Sequence, residues 1–376
     1  MVRFLEIGRI FLSDKWRLIW APALDGPDIV AYTMTAVEGK LLGVSPNTFL
    51  LSGFSKYSIS IGRYQDLDLA IDYERAKEKD IDVVRRPIGG GVILIDPVGS
   101  RGLGLTVDRD FFPRLDDAFR KVGEAITEGY KKLGVKNAWY KFAGDVMVGD
   151  RKITGFGFTE IEKTVVMQCI ISLKDLDFKY FSDVVQLHPE KLRDKRIKDL
   201  SELMTSVETE TGKLPSNEEF KKAFTESFQE ALGIELEEGG ILNAEREIYQ
   251  KWRDYATSPE NRFAFSSMAR FPNLKELLNK GYKFVFAKNK RDRELVVHVL
   301  LDPEGKIEDL MFSGDFYCRP ESYLKELENS LKGINPQNEW EVKSKVEKIF
   351  ERPDWEIPLV EPEDFVKAIV EAAKRV

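Results

Sequence analysis

The chain has 376 residues, 43% hydrophobic and 32% charged, with a formal net charge of −7. That length allows two domains with full cores, and the negative balance argues against non-specific nucleic-acid binding, which needs a basic face. No apolar run approaches a membrane span, the charged start Met1-Val2-Arg3-Phe4-Leu5-Glu6 does not fit a signal peptide, and two distant cysteines, Cys169 and Cys318, support neither a disulfide framework nor a zinc cluster, so a reducing cytoplasm is the expected setting.

In chain order, Phe4 to Leu12 and Trp16 to Trp20 each fit a short helix or a strand. Tyr57, Ile59 and Ile61 alternate with Ser58 and Ser60, the pattern of a half-buried strand. Asp66 is placed to cap a helix in which Leu69, Tyr73 and Ala76 share a face. The next stretch is Asp82-Val83-Val84-Arg85-Arg86-Pro87-Ile88-Gly89-Gly90-Gly91-Val92-Ile93-Leu94-Ile95-Asp96, which reads as strand, tight loop, strand. Glycine clusters usually mark turns. The arginine pair before this one points further, because guanidinium forks beside exposed backbone N–H groups suit a phosphate or carboxylate.

Residues 97–104 are glycine-rich and lead to a strand at Leu105-Thr106-Val107. From Arg114 to Leu133, apolar residues recur at steps of three and four until Gly134, which predicts a core helix. Asp145 to Val148 and Lys152 to Phe158 flank Gly149-Asp150, a pair suited to a two-residue hairpin turn. A second turn at Ile161-Glu162-Lys163 returns the chain along Thr164 to Leu173. Phe220, Phe224 and Phe228 mark another helix, stopped by Gly233. The acidic run Glu235 to Gly240 reads as a boundary, with a hinge at Glu237 to Asn243. Strands at Phe284–Phe286, Leu295–Leu301 and Lys306–Phe312 and three closing helices make a smaller unit, with His298 on a half-exposed strand face. The expected class is α+β, mixed and antiparallel sheets flanked by helices, plus a smaller α+β C-terminal domain. The expected division is 1–240 catalytic, 241–262 linker and 263–376 accessory.

A lysine just past a hairpin turn is normally a solvated edge residue. Around Lys152, glycines at 149, 155 and 157 leave the backbone open to a ligand. Lys152 is therefore a candidate cation for an anionic intermediate shared with Arg86, and Asp145 a candidate holder of a divalent ion.

Arg85-Arg86-Pro87-Ile88-Gly89-Gly90-Gly91, followed by Asp145 and then Gly149-Asp150-Arg151-Lys152-Ile153-Thr154-Gly155, resembles the lipoate–protein ligase family, of the type with a C-terminal accessory domain. Lys195-Arg196-Ile197-Lys198-Asp199-Leu200 and the Gly314-Asp315-Phe316 hairpin are similar to further family segments. The resemblance implies a biotin/lipoate ligase-like catalytic domain and a two-step reaction. Lipoate or octanoate reacts with ATP, assisted by Mg2+, to give an acyl adenylate, and the acyl group passes to a lysine of a lipoyl carrier. That carrier is a lipoyl domain of a 2-oxoacid dehydrogenase or a glycine-cleavage H-type protein.

Transferred residue by residue, Lys152 stabilises the acyl carbonyl and α-phosphate. Arg85, Arg86, Gly89, Gly90, Gly91, Thr154 and Gly155 bind the adenylate, the acyl tail runs near Val92 and Leu94, and Asp145 holds Mg2+. The family histidines are replaced, by Ile95 and within Val166-Met167-Gln168-Cys169-Ile170-Ile171. The alternatives are an ATP-independent octanoyl or lipoyl transferase of the same fold, which carries the acyl group on a cysteine, and a non-catalytic paralogue that binds the acyl group or the carrier. His188-Pro189-Glu190 stands where one transferase branch places that cysteine.

Overall fold

The computed structural model describes residues 15–112, 114–142, 144–185 and 202–375. The expectations for Phe4 to Leu12, for His188 to Glu190 and for Lys195 to Leu200 lie outside the described residues. Among the described residues no helix is long and apolar enough to cross a membrane.

In chain order the described elements begin with β1 (Trp16–Leu24), α1 (Gly26–Leu41), β2 (Thr48–Phe54), β3 (Ser58–Ile61), β4 (Asp82–Arg85), β5 (Ile93–Ile95) and β6 (Ser100–Asp108). Then follow α2 (Leu115–Lys132), β7 (Ala138–Lys141), β8 (Asp145–Val148), β9 (Arg151–Ile161), β10 (Thr164–Ser172), α3 (Asn217–Leu232), β11 (Leu236–Gly239) and α4 (Arg246–Thr257). The C-terminal part holds β12 (Lys283–Lys290), β13 (Glu294–Leu301), β14 (Ile307–Gly314), α5 (Ser322–Leu331), α6 (Glu339–Phe350) and α7 (Pro362–Ala373). The architecture is α+β with a large mixed sheet, as expected.

The chain forms two compact units, each discontinuous in sequence. The first comprises the described residues within Met1–Ser58, Leu94–Ser182 and Pro189–Thr257; the second comprises those within Ile59–Ile93, Asp183–His188 and Ser258–Val376. The sequence expectation differs, because it assigns the arginine–glycine stretch to an N-terminal catalytic block.

The first unit is an eight-stranded sheet in the order β11-β1-β2-β6-β10-β9-β8-β7. β11–β1 and β1–β2 are parallel, and the pairs from β2 to β7 are antiparallel. One face carries Phe49, Leu103, Met167 and Cys169, buried with Ile126 and Tyr130 of α2 and Phe220, Phe224 and Phe228 of α3. Gly233, in the left-handed region at φ 66°, ends α3 as its position predicts.

The expected hinge and linker are structured. Residues 236–239 form edge strand β11, paired with β1, whose charged residues disguise it as a boundary. Glu245, fully buried, accepts hydrogen bonds from both terminal nitrogens of Arg17, at 2.6 and 2.8 Å. α4 is fastened to α1 by Arg253 on Asp25 and Asp28 and by Lys251 and Trp252 on Glu38.

In the second unit, β12-β13-β14 form an antiparallel sheet whose core includes residues of α5, α6 and α7. A small sheet has the order β4-β3-β5, so the strands on either side of the glycine loop both pair with β3 and not with each other. The helix expected after Asp66 is two short ones, Leu67–Ala70 and Tyr73–Glu78. Ile71 breaks it in an extended conformation, and Asp72 caps the second piece. His298 is buried at 1% exposure and lies 3.0 Å from Asp66 Oδ2, in place of the half-exposed setting expected.

Candidate active site

The hairpin predicted at Gly149-Asp150 forms, with Gly149 at φ 57°. Asp145 lies opposite Gly155 and Val146 opposite Thr154, but Met147 then faces Lys152. The skipped residue is Ile153, a bulge that turns β9 by one position. Ile153 and Thr154 both point to the core, at 0% and 2% exposure. Lys152 therefore emerges on the same side as Asp145 and Gly155; in a regular strand it would lie on the core side with Thr154.

On that open face Lys152 Nζ lies 2.6 Å from Asp145 Oδ1, with the side chains 40% and 37% exposed. The pair depends on the glycine beside it. A Cβ at Gly155 would stand 2.5 Å from Lys152 Nζ and 3.2 Å from Asp145 Oδ1. Lys152 is also held through its carbonyl, which accepts from Thr205 N at 3.0 Å. Thr154, expected to contact ligand, lies on the core side of the sheet, and its hydroxyl donates to the Ile170 carbonyl.

Beside this pair the same sheet face carries glycines, and Ser52 Oγ and Phe54 Cζ stand 2.2 and 3.1 Å from where a Cβ on Gly102 would lie. Gln168 pairs with Gly157 on one side and Gly104 on the other, while Ile170 pairs with Gly102. Gln168 Nε2 donates to Thr33 Oγ1 of α1 at 2.6 Å, so α1 lies on this face of the sheet. Gly102 and Gly104 precede the strand start expected at Leu105. They are strand residues of β6, and the signal for them was their alternation with Leu103 and Leu105.

Lys152 belongs to the first unit and the arginine–glycine loop to the second. Within the second unit, both arginines point inward, against the expectation of forks aimed at a ligand. Arg85, 1% exposed, donates to the carbonyls of Gly62, Arg63, Gln65, Asn261 and Arg262. Arg86 donates to the carbonyls of Ser60, Gly89 and Gly91 at 2.8 Å each. Burial pulls the two guanidiniums down to about 9 and about 10, which leaves both charged at neutral pH. The arginines thus shape the loop. Gly89 permits the close approach of Phe316, whose carbonyl oxygen would lie 2.1 Å from a Cβ there, and Gly90 sits at φ 98°. Val92 and Leu94 are half-buried.

Neither thiol is available as a nucleophile. Cys169, 2% exposed, lies on the core side of β10, and burial pushes its thiol far up. Cys318 in the second unit is 3% exposed and pushed up to about 12, again by burial. Among the described residues no three His, Cys, Asp or Glu side chains converge to hold a metal ion. A single carboxylate such as Asp145 would suit an ion bound mainly by phosphates and water.

The family model for the lipoyl protein ligase A/B catalytic domain matches residues 30–229, and so takes in both the lysine hairpin and the arginine–glycine loop. Octanoyltransferase LipM of Kyrpidia tusciae is 26% identical over 268 residues, 63% of this chain and 94% of its own length. Lipoate–protein ligase 1 of Staphylococcus aureus is 23% identical over 290 residues, 76% of this chain and 80% of its own. Among solved structures, a bipartite lipoate protein ligase from Thermoplasma acidophilum superposes with a TM-score of 0.58 at 22% identity, covering 67% of this chain and 97% of its own. LipL1 of P. falciparum, solved with lipoate, gives 0.64 at 13% identity and covers 95% of this chain and 98% of its own. At such identities the solved structures share the fold.

Proposed function

This chain belongs to the lipoyl protein ligase A/B family, and from that premise we propose that it joins lipoate or octanoate to a lysine of a lipoyl-carrier protein by way of an acyl adenylate. Membership makes it an enzyme of lipoate or octanoate attachment. The nucleotide-dependent route is the finer part of the proposal. The observation that carries it is the burial of both thiols, since a transferase of this fold needs a reactive cysteine. Nor is there a cysteine anywhere in residues 136–144, before the lysine hairpin.

In the first step a carboxylate oxygen of the acyl substrate attacks the α-phosphorus of ATP and pyrophosphate leaves. Two anions meet, so a fixed cation lowers the barrier. Lys152 supplies it, resting on Asp145 until the substrates take over its ammonium. Asp145, released from Lys152, is the carboxylate available to Mg2+, which when bound neutralises phosphate charge. In the second step the amine of the carrier lysine attacks the acyl carbon, AMP leaves, and Lys152 stabilises the oxyanion. Arg85 and Arg86 act by holding the backbone of Gly89 to Gly91 in shape. The acyl tail is assigned to the strand residues Val92 and Leu94 expected from sequence, both half-buried.

A second reading is an ATP-independent octanoyl transferase, and relatives such as the LipM enzymes favour it more than they favour the ligase. The two separate in one assay. An apo lipoyl domain is incubated either with octanoate, ATP and Mg2+ or with octanoyl-acyl carrier protein alone, and its mass is followed. Acylation only with nucleotide supports the ligase; acylation from the thioester donor without nucleotide overturns it.

A further inference from the structure

The bulge that aims Lys152 has a support on the core side of the sheet. β9 and β10 pair regularly from Ile161–Thr164 to Phe156–Cys169. Continued three residues further in that register, the ladder would set Ile153 opposite Ser172. It does not continue. In the gap lies the hydroxyl of Tyr130, from α2. Ser172 N donates to Tyr130 Oη at 3.1 Å, and Tyr130 Oη donates to the Ile153 carbonyl at 3.4 Å. The Thr154 hydroxyl, donating to the Ile170 carbonyl, fills the neighbouring place. Side-chain hydroxyls thus stand in for ladder bonds where β9 departs from β10.

We propose that Tyr130 is a positioning residue for Lys152: its hydroxyl holds β9 and β10 apart at Ile153, and so maintains the bulge that turns the lysine onto the open face. Tyr130 is fully buried, packed against Phe224, its ring centroid 5.7 Å away. A phenylalanine would satisfy that packing equally well. The hydroxyl is needed because the Ser172 N–H and the Ile153 carbonyl, outside the regular β9–β10 ladder, both bond to it, and both need partners. Without it the strands can close into register. The bulge is then lost, Met147 comes to face Ile153 in place of Lys152, and a one-residue slip moves Lys152 to the core side. Tyr130 touches no substrate.

The inference rests on the assignment of Lys152 as the reacting cation, and the test separates the two. Tyr130→Phe and Lys152→Ala are compared with the full-length protein in acylation of a lipoyl domain, with kcat, KM and thermal midpoint measured. Backbone NMR contacts across β8 and β9 are recorded in parallel. Tyr130→Phe is expected to lower kcat roughly tenfold with KM changed less than about twofold. The Met147 cross-strand contact is expected to move from Lys152 to Ile153. Unchanged kcat and an unchanged contact, even with a lower midpoint, would overturn the inference and leave Tyr130 a packing residue. If Lys152→Ala keeps full activity, the functional assignment fails, and the NMR contact alone then decides whether Tyr130 sets the register.

Discussion

Replacing Gly155 with alanine separates the site from the fold. The added Cβ would lie 2.5 Å from Lys152 Nζ, 2.7 Å from its Cε and 3.2 Å from Asp145 Oδ1. Ordinary contact between such atoms is about 3.5 Å or more, so the ammonium must retreat by about 1 Å. A displacement of that size at a reacting group costs about a hundredfold in rate, roughly 2.7 kcal/mol of barrier. The fold is not taxed in the same way. Gly155 lies outside the left-handed region, the atoms in the way are the flexible end of a lysine, and alanine in a strand is more stable than glycine by about 0.5–1 kcal/mol. Gly155→Ala is therefore expected to keep or slightly raise the thermal midpoint while kcat/KM for carrier acylation falls about a hundredfold. Full activity at unchanged stability would refute the idea that the lysine works on this face.

Other outcomes follow from the same structure. Arg85→Leu leaves a group of buried carbonyls without donors and should destabilise the protein by about 3–5 kcal/mol in urea unfolding. Glu245→Ala strands Arg17 in the core and should cost about as much by the same measurement. Cys169→Ala and Cys318→Ala should each retain acylation rates within about threefold at neutral pH; loss of activity in either would return the thioester route to favour. Asp66 titrates below its ordinary 3.8: burial raises it, but His298 and Ser267 outweigh that. A carboxylate depressed in the fold stabilises above its unfolded value, and the benefit disappears as pH falls through the folded one. The stability gap between the wild type and Asp66→Asn should thus be full above about pH 4 and close below it.

Much of the fold was legible because local chemistry and tertiary packing agree. The apolar stripe from Phe119 to Tyr130, the turn at Gly149-Asp150 and the strand from Leu295 to Leu301 each form as their spacing requires. The misreadings have a common cause. Gly102 and Gly104 sit inside a strand, and glutamates occupy edge strand β11, so neither segment reads as strand until the sheet that pairs them is known. The site divides similarly. Lys152 and Gly155 were legible from their motif. The inward course of Arg85 and Arg86 was not, because their carbonyl partners, including those of Arg262 and Ser60, are scattered through the sequence. Nor was the bulge at Ile153, which leaves no mark of its own and puts Lys152 and Thr154, which would share a face in a regular strand, on opposite faces.

The central claim is that the lysine turned outward by that bulge drives amide formation on a carrier. It is tested most directly by the single-turnover rate at which an apo lipoyl domain gains one acyl group from octanoate, ATP and Mg2+, for the wild type against Lys152→Ala. The expected result is rapid gain with the wild type and at least about a thousandfold slower gain with the variant. Equal rates for the two proteins would contradict the account.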